Sequence, residues 1–165
     1  MPKPTYTPDT QNIFMGPAIL EYDGKVLGAT VNDSIKINYT QTTTPLQTDQ
    51  SALPLKEYVT SVECSVEAEL ADTSAASLAN IIGADATGFK DPMGIDMLAA
   101  AKELKVYPLD VTDTRVFVFP KAAITMKGVI GFSRTTPTSL PISIKCYLES
   151  AGGYAMKIET EGAGA

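Results

Sequence analysis

The residues with the most obvious potential for chemistry are carboxylates, and Glu63, Glu67 and Glu69 form their clearest group. All three fall on one side of an alternating segment, residues 58–70, whose other side is mostly apolar. Two close carboxylates can act as general acid and general base, so Glu67 and Glu69 are the pair to test for a carboxylate-dependent hydrolase. A solvated polar face of a sheet is the simpler interpretation, because the other carboxylates are spread along the chain.

Other catalytic and ligand-binding motifs are missing from the sequence. The chain has no histidine, which removes the commonest general acid–base residue and the Ser–His and Cys–His nucleophile pairs. Asp91, Asp110 and Asp113 lack the spacing of a calcium loop and indicate an acidic turn. There is no phosphate-binding loop, and Gly128 and Gly131 lie inside a predicted strand rather than at the start of a helix. We therefore expect a protein that is not an enzyme and that binds neither a metal nor a cofactor.

The two cysteines, Cys64 and Cys146, each fall on the apolar side of an alternating segment. This pattern predicts buried, reduced thiols that pack as small hydrophobic side chains. A disulfide between neighbouring strands is the alternative. It fits less well with a chain that starts without a secretory signal.

The composition indicates one soluble domain. The chain has 165 residues, 44% of them hydrophobic and 19% charged, and it has no apolar run long enough to span a membrane. Its net charge is −6, whereas proteins that grip phosphate backbones usually carry a basic face. We expect a protein that is made in the cytoplasm, does not bind nucleic acid specifically and does not insert into a membrane.

Short alternating segments separated by turns predict a mainly β fold. The pair Asp23-Gly24 between two strand-like runs is typical of a two-residue hairpin turn. The other predicted strands cover residues 33–40, 58–70, 103–109, 115–119, 122–132 and 140–149. A helix is expected at residues 74–82. We predict a β-sandwich or barrel of about seven or eight strands with one flanking α-helix.

The chain is predicted to hold one domain between two terminal segments. Residues 1–16, with three prolines, indicate an extended N-terminal arm. Residues 17–150 form the single β domain, and residues 151–165 form a C-terminal tail rich in Gly and Ala. Within the domain, residues 41–57 form a long loop, and residues 84–102 form an insertion with a short second helix towards its end.

The order of these features resembles the major tail proteins, or tail tube proteins, of tailed bacteriophages. The resemblance covers roughly residues 16–83, and a weaker resemblance extends to the last predicted strands. It rests on the hairpin at 16–28, the strand at 33–39, the long loop in which Asp49-Gln50 is followed by Pro54, and the strand at 59–70 that runs into the helix ending at Gly83.

This resemblance implies a structural subunit that assembles into hexameric rings, which stack into a tube that conducts the genome during ejection. The implied partners are copies of the chain itself, the tape-measure protein in the lumen, and the tail terminator and baseplate or tip proteins. The resemblance does not decide whether a sheath is also a partner. DNA would pass through the tube without specific binding. The implied location is the tail of the virion, after assembly in the cytoplasm of the bacterial host.

The resemblance also implies roles for two groups of residues. The long loop would make the contacts between subunits and between rings, through Thr42, Thr43, Thr44, Pro45, Leu46, Asp49, Gln50, Leu53 and Pro54. Negative charge in the lumen would keep DNA phosphates from binding. Glu63, Glu67 and Glu69 are one candidate lining of the lumen. Asp33 and Glu149, on other strands, are equally good candidates.

Two alternatives remain beside the tail tube. The inner tube of a phage-like contractile injection system, or another tail component, would share the fold and the self-assembly. An all-β carbohydrate-binding module would present exposed aromatic side chains on a sheet face or loop. The chain has no tryptophan, and several of its seven tyrosines fall in strand patterns, so this second alternative has less support.

Overall fold

The computed structural model describes residues 17–46, 53, 56–71, 94, 96–110, 113–127 and 138–160. These residues contain eight strands and no helix. The strands are β1 (Ala18–Tyr22), β2 (Lys25–Val26), β3 (Lys36–Leu46), β4 (Lys56–Leu70), β5 (Lys102–Pro108), β6 (Arg115–Met126), β7 (Leu140–Tyr147) and β8 (Lys157–Thr160). They form one antiparallel sheet in the order β2-β1-β5-β6-β7-β4-β3, and β8 pairs with β6. The predicted mainly β fold is confirmed, while the predicted helix at 74–82 lies outside the described residues.

The first hairpin has the turn that the sequence predicted. Asp23 and Gly24 have φ angles of 52° and 73°, and positive φ at both central positions is the signature of a type I′ turn. The pairing of Tyr22 with Lys25 closes the turn. The Tyr22 hydroxyl also donates a hydrogen bond of 3.1 Å to the carbonyl oxygen of Ala122 in β6, which fixes the hairpin against the middle of the sheet.

The core rests on strict alternation in β4 and β7. The directly opposite pairs are Cys64 with Cys146, Val66 with Ile144, Ala68 with Ile142, and Leu70 with Leu140. All eight side chains are buried. Their cluster continues through Leu20, Leu27, Leu104, Val106, Phe119 and Ala122. A slip of one residue in either strand would turn this whole set towards the opposite face, so burial fixes the register.

β6 is one continuous strand, where the sequence predicted two. Phe119 and Ala122 both belong to the core cluster, so the simple alternation of faces is interrupted between them. The register against β5 shifts at the same place, between the pairs Leu104–Phe119 and Lys102–Ala122. Such a shift marks a β-bulge, which bends a strand. The first part of β6 pairs with β8 and the second part with β7.

Residues 27–31 connect the two ends of the strand order. The Leu27 amide donates to the Leu20 carbonyl oxygen in β1 at 2.9 Å, and the Val31 amide donates to the Glu69 carbonyl oxygen in β4 at 2.8 Å. Four residues of extended chain span at most ~14 Å. The β1 end of the sheet and the edge of β4 therefore lie close to each other.

The C-terminal segment differs from the prediction. Residues 151–165 were expected to be a tail, but Lys157–Thr160 forms β8 and pairs with β6. The domain therefore extends to Thr160. Three of the four residues of β8 are exposed, so the segment carries too little apolar alternation to predict a strand from sequence.

The predicted second helix, at residues 95–102, is also wrong. Residues 97–100 form a turn, and β5 begins at Lys102. Asp96 stabilises the turn, since its Oδ1 accepts hydrogen bonds from the amides of Leu98 at 2.9 Å and Ala99 at 3.3 Å. Capping of this kind satisfies the amides of a first turn whether or not a helix follows.

Candidate assembly surface

The β3–β4 hairpin extends well past the core of the sheet. Its pairing runs from Lys36–Glu67 at the base to Leu46–Lys56 at the far end. Residues 40–46 and 56–63 are all exposed, and burial in β4 begins only at Cys64. We call these two exposed stretches the distal hairpin. They form a two-stranded ribbon whose side chains contribute nothing to the buried core.

Five of the predicted assembly residues lie in the distal hairpin, namely Thr42, Thr43, Thr44, Pro45 and Leu46. They form regular strand, whereas the sequence predicted an irregular loop. β-branched threonines suit an extended backbone, and Pro45 is tolerated because β3 ends the strand order. Leu53 is described and is 75% exposed. Asp49, Gln50 and Pro54 lie outside the described residues.

Side-chain hydrogen bonds connect the two strands of the distal hairpin. Thr60 Oγ1 donates to the carbonyl oxygen of Thr42 at 3.2 Å and lies 3.2 Å from Thr44 Oγ1. The Thr43 hydroxyl donates to the Glu57 carboxylate. Cross-strand contacts between threonines are among the pairs that stabilise a ladder. The hairpin thus holds its register with polar contacts where the hydrophobic core is absent.

A β-bulge interrupts the ladder of this hairpin. Thr42 pairs with Ser61, but Thr43 pairs with Val59, so Thr60 is an extra residue on β4. The extra residue reverses the alternation of the strand from that point towards its start. Bulges of this kind also increase the local twist and re-aim side chains.

The bulge brings Val59 and Val62 to the same face. Thr43 lies on the same side of β3 as Gln41, whose partner is Val62. Val59, the partner of Thr43, therefore shares that face. Plain alternation over residues 58–70 placed the two valines on opposite faces. That prediction is wrong for Tyr58 and Val59, which precede the bulge, and correct from Ser61 onwards.

An apolar groove continues from this face towards the C-terminal part of the chain. Its exposed apolar lining consists of Tyr39, Val59, Val62, Leu98, Leu148 and Tyr154, each between 48% and 65% exposed. The groove has a volume of about 800 Å³, and Cys64 and Cys146 form part of its wall. Grouped exposed apolar side chains are typical of interaction sites. None of the six was predicted as a site residue from sequence, because they come from four separate segments that only the fold brings together.

The three glutamates proposed as a lumen lining share one face of β4, as the alternation predicted. Lys36 lies directly opposite Glu67, and Lys127 Nζ lies 2.5 Å from Glu67 Oε1. The hydrogen bond from Lys127 holds the pKa of Glu67 below its usual value. Glu69 accepts a hydrogen bond of 3.3 Å from the hydroxyl of Ser139. Lysines therefore balance much of the negative charge on this face.

The acidic residues in the turn before β6 take part in hydrogen bonds that stabilise the turn. The Asp113 carboxylate is buried and accepts hydrogen bonds of 2.8 Å from both Nε and Nη2 of Arg115. The Asp113 amide donates to the Asp110 carbonyl oxygen at 2.9 Å. This arrangement matches the acidic turn that the sequence indicated, and Asp91 lies outside the described residues. Within the described ranges, no group of three Cys, Asp or Glu side chains is arranged to hold a metal ion.

The two other acidic residues considered for a lumen lie outside β4, and Asp33 lines a pocket together with Glu67 and Glu69. Asp33 sits in the turn before β3 with a φ angle of 57°. Glu149 follows β7, and its carboxylate accepts a hydrogen bond of 2.8 Å from Lys157. The orientation of any of these carboxylates towards a lumen stays a prediction.

Comparison with known proteins does not assign the chain to a family. No family model matches the chain, and no curated protein matches it. Across the described segments, no helix is long and apolar enough to cross a membrane.

Proposed function

We propose that this chain is a structural subunit that assembles with copies of itself, and that the assembly is the tail tube of a tailed bacteriophage. The observation that carries the proposal is the distal hairpin, a long ribbon that leaves its own core with Val59 and Val62 exposed on one face. The order of sequence features that resembles tail tube proteins gives the assembly its identity.

The distal hairpin would be more stable if a partner covered it. A two-stranded ribbon without a covering layer is marginally stable in water. In the described part of the chain, β3 pairs only with β4, so its other edge offers unpaired amides and carbonyls to another strand. Burying the apolar face and this edge against a second copy would stabilise both. We propose that the hairpin of one copy contacts a different surface of the next copy. Such head-to-tail contacts generate rings when they close and filaments when they do not.

We also propose that the sheet closes into a β-barrel or a sandwich with a flanking helix. The short crossing at residues 27–31, which joins β1 to the edge of β4, supports closure. So does the contribution of β1, β4, β5, β6 and β7 to one core cluster. A closed domain leaves few edges of its own and makes the protruding hairpin the main place for pairing.

In the proposed tube, hexameric rings stack around the tape-measure protein and later conduct DNA. The net charge of −6 agrees with a surface that does not bind phosphates. Because Lys36 and Lys127 lie beside Glu67, a lumen lined by the β4 face would carry mixed charge, not a continuous negative surface.

The test is the assembly state of the purified protein and of two matched variants. Val62→Lys places a charge on the hairpin face, while Leu109→Lys places it at an equally exposed apolar residue outside the hairpin and groove; both residues are 48% exposed. Negative-stain microscopy and light scattering should show rings or tubes for the native chain and for Leu109→Lys, and monomers for Val62→Lys. Circular dichroism checks that both variants fold. A native chain that stays monomeric at high concentration would overturn the proposal.

A further inference from the structure

The two cysteines are direct neighbours across the sheet. Cys64 in β4 and Cys146 in β7 are Cα partners in the antiparallel ladder, and both are free thiols. Residues directly opposite in such a ladder have Cα atoms about 4.5–5.5 Å apart. Disulfides form across Cα separations of about 4.4–6.8 Å. The two backbones are therefore already placed for a disulfide.

The pair forms part of the wall of the apolar groove. Cys64 is 5% exposed and Cys146 is 7% exposed, and both line the apolar groove beside the hairpin. The volume of the groove, about 800 Å³, falls within the range of about 300–1,000 Å³ that is typical of small-molecule sites. The other described cavities, one beside Asp113 and one beside Glu67, have no cysteine in their walls.

We propose that Cys64 and Cys146 are a redox pair, which a small aliphatic disulfide such as oxidised glutathione converts into a cross-strand disulfide. The inference rests on the fold alone and not on the proposed function. The predicted buried, reduced thiols are confirmed, and the register of β4 and β7 adds that the two lie directly opposite each other, 82 positions apart in the sequence. The proposal takes up the alternative of a disulfide between neighbouring strands, which the sequence left open.

The two sulfurs have different roles in this exchange. The hydrogen bond from the Cys146 thiol lowers the pKa of Cys64 against the opposing effect of burial. The same hydrogen bond to the Cys64 sulfur, followed by burial, raises the pKa of Cys146. Because the thiolate is the nucleophile, Cys64 attacks first. Cys146 Sγ also lies 3.8 Å from the Ile144 carbonyl oxygen, a second acceptor for its proton.

The reaction balances in two steps of thiol–disulfide exchange. The Cys64 thiolate attacks one sulfur of the reagent, breaks its disulfide and releases one small thiolate, which takes up a proton. Cys146 then gives its proton to water and attacks the Cys64 sulfur, which releases the second small thiolate, and this thiolate also takes up a proton. The two protein thiols lose two electrons, and the reagent gains them as it becomes two thiols.

The bond would join β4 to β7 at the base of the distal hairpin. Cys64 is the first buried residue of β4 after the exposed ribbon. A link here fixes the point from which the hairpin leaves the sheet. It also closes a long loop of chain, and cross-links stabilise folded proteins mainly by restricting the unfolded chain.

The experiment exposes the folded full-length protein to oxidised glutathione and follows it by intact mass and by alkylation of remaining thiols. We expect the loss of two hydrogens, no bound glutathione at the end point, and no free thiol. The thermal unfolding midpoint should rise by about 5–15 °C on oxidation, and dithiothreitol should reverse both changes.

Single variants separate the two roles without relying on stability. Cys146→Ala should stop at a mixed disulfide that carries one glutathione on Cys64, and Cys64→Ala should react several times more slowly. Circular dichroism on each variant checks folding, and the native protein alone suffices for the main result. Two thiols that stay reduced in the folded protein and react only in denaturant would overturn the proposal. Covalent dimers in place of the internal bond would also overturn it.

Discussion

Arg115 binds the buried carboxylate of Asp113 through two hydrogen bonds, with Nε 2.8 Å from Oδ1 and Nη2 2.8 Å from Oδ2. The Asp113 side chain is only 2% exposed. The Arg115 amide adds a third hydrogen bond, of 3.0 Å, to Oδ1. A buried carboxylate is costly unless it is paired in this way. The ion pair therefore fixes the conformation of the chain as it enters β6.

Asp113→Asn should destabilise the protein at neutral pH and reduce its sensitivity to acid. The hydrogen bonds from Arg115 lower the pKa of Asp113 in the folded protein, so the unfolded chain binds the proton more readily. The stabilising effect is complete above the unfolded pKa of about 3.9. It is lost as the pH falls from there through the lower folded value. Urea unfolding measured from about pH 7 to about pH 3 should show the two proteins converging in acid.

The control for this prediction is Asp23→Asn, which removes an exposed carboxylate from a left-handed turn position. Asparagine tolerates the same conformation, so we expect little change at any pH. A gap between wild type and Asp113→Asn that stays constant down to the lowest pH would contradict the role of charge. It would assign the effect of the substitution to packing instead.

Ile144→Ala should lower the free energy of unfolding by about 2–5 kcal/mol, the usual cost of emptying a buried aliphatic site. Ile144 is fully buried opposite Val66 in the centre of the core. The matched control is Ile158→Ala in β8, where the same side chain is 59% exposed; its effect should stay within about 0.5 kcal/mol. Chemical denaturation of both variants measures the difference. Equal losses would mean that β8 packs as tightly as β7.

Much of this core could be predicted from sequence, because its signals are local. The alternation of Leu140, Ile142, Ile144 and Cys146 depends only on residues two positions apart. The Asp23-Gly24 turn depends on two adjacent residues that accept positive φ. In both places the local preference agrees with the final fold, and the structure confirms the predictions.

The features that the sequence analysis missed depend on partners far apart in the chain. Glu67 is paired with Lys127, which lies 60 positions further along the chain. The mixed charge of the face that carries Glu67 could therefore not be predicted from the sequence. The segment around Thr43 has the composition of a loop and becomes a strand only because β4 lies beside it. The bulge at Thr60 exists only relative to the opposite strand. Pairing, rather than propensity, decided all three.

The bulge itself can be tested by cross-linking, which does not depend on assembly. Directly opposite residues have Cα atoms about 4.5–5.5 Å apart, within the range for disulfides. In a chain that carries Cys64→Ala and Cys146→Ala, the pair Thr43→Cys with Val59→Cys should cross-link rapidly under mild oxidation. The pair Thr43→Cys with Thr60→Cys, opposite each other only in a ladder without the bulge, should cross-link several times more slowly.

The rates are compared by loss of free thiols at low protein concentration, where bonds between molecules are slow to form. Circular dichroism confirms that the background variant keeps its strands. The ranking of the two pairs decides the result, because both share the Thr43→Cys site and differ only by the neighbouring residue on β4. Faster closure by the Thr60→Cys pair would mean that β4 alternates without interruption. Val59 would then lie on the face opposite Val62, and the apolar face of the distal hairpin would lose one of its main residues.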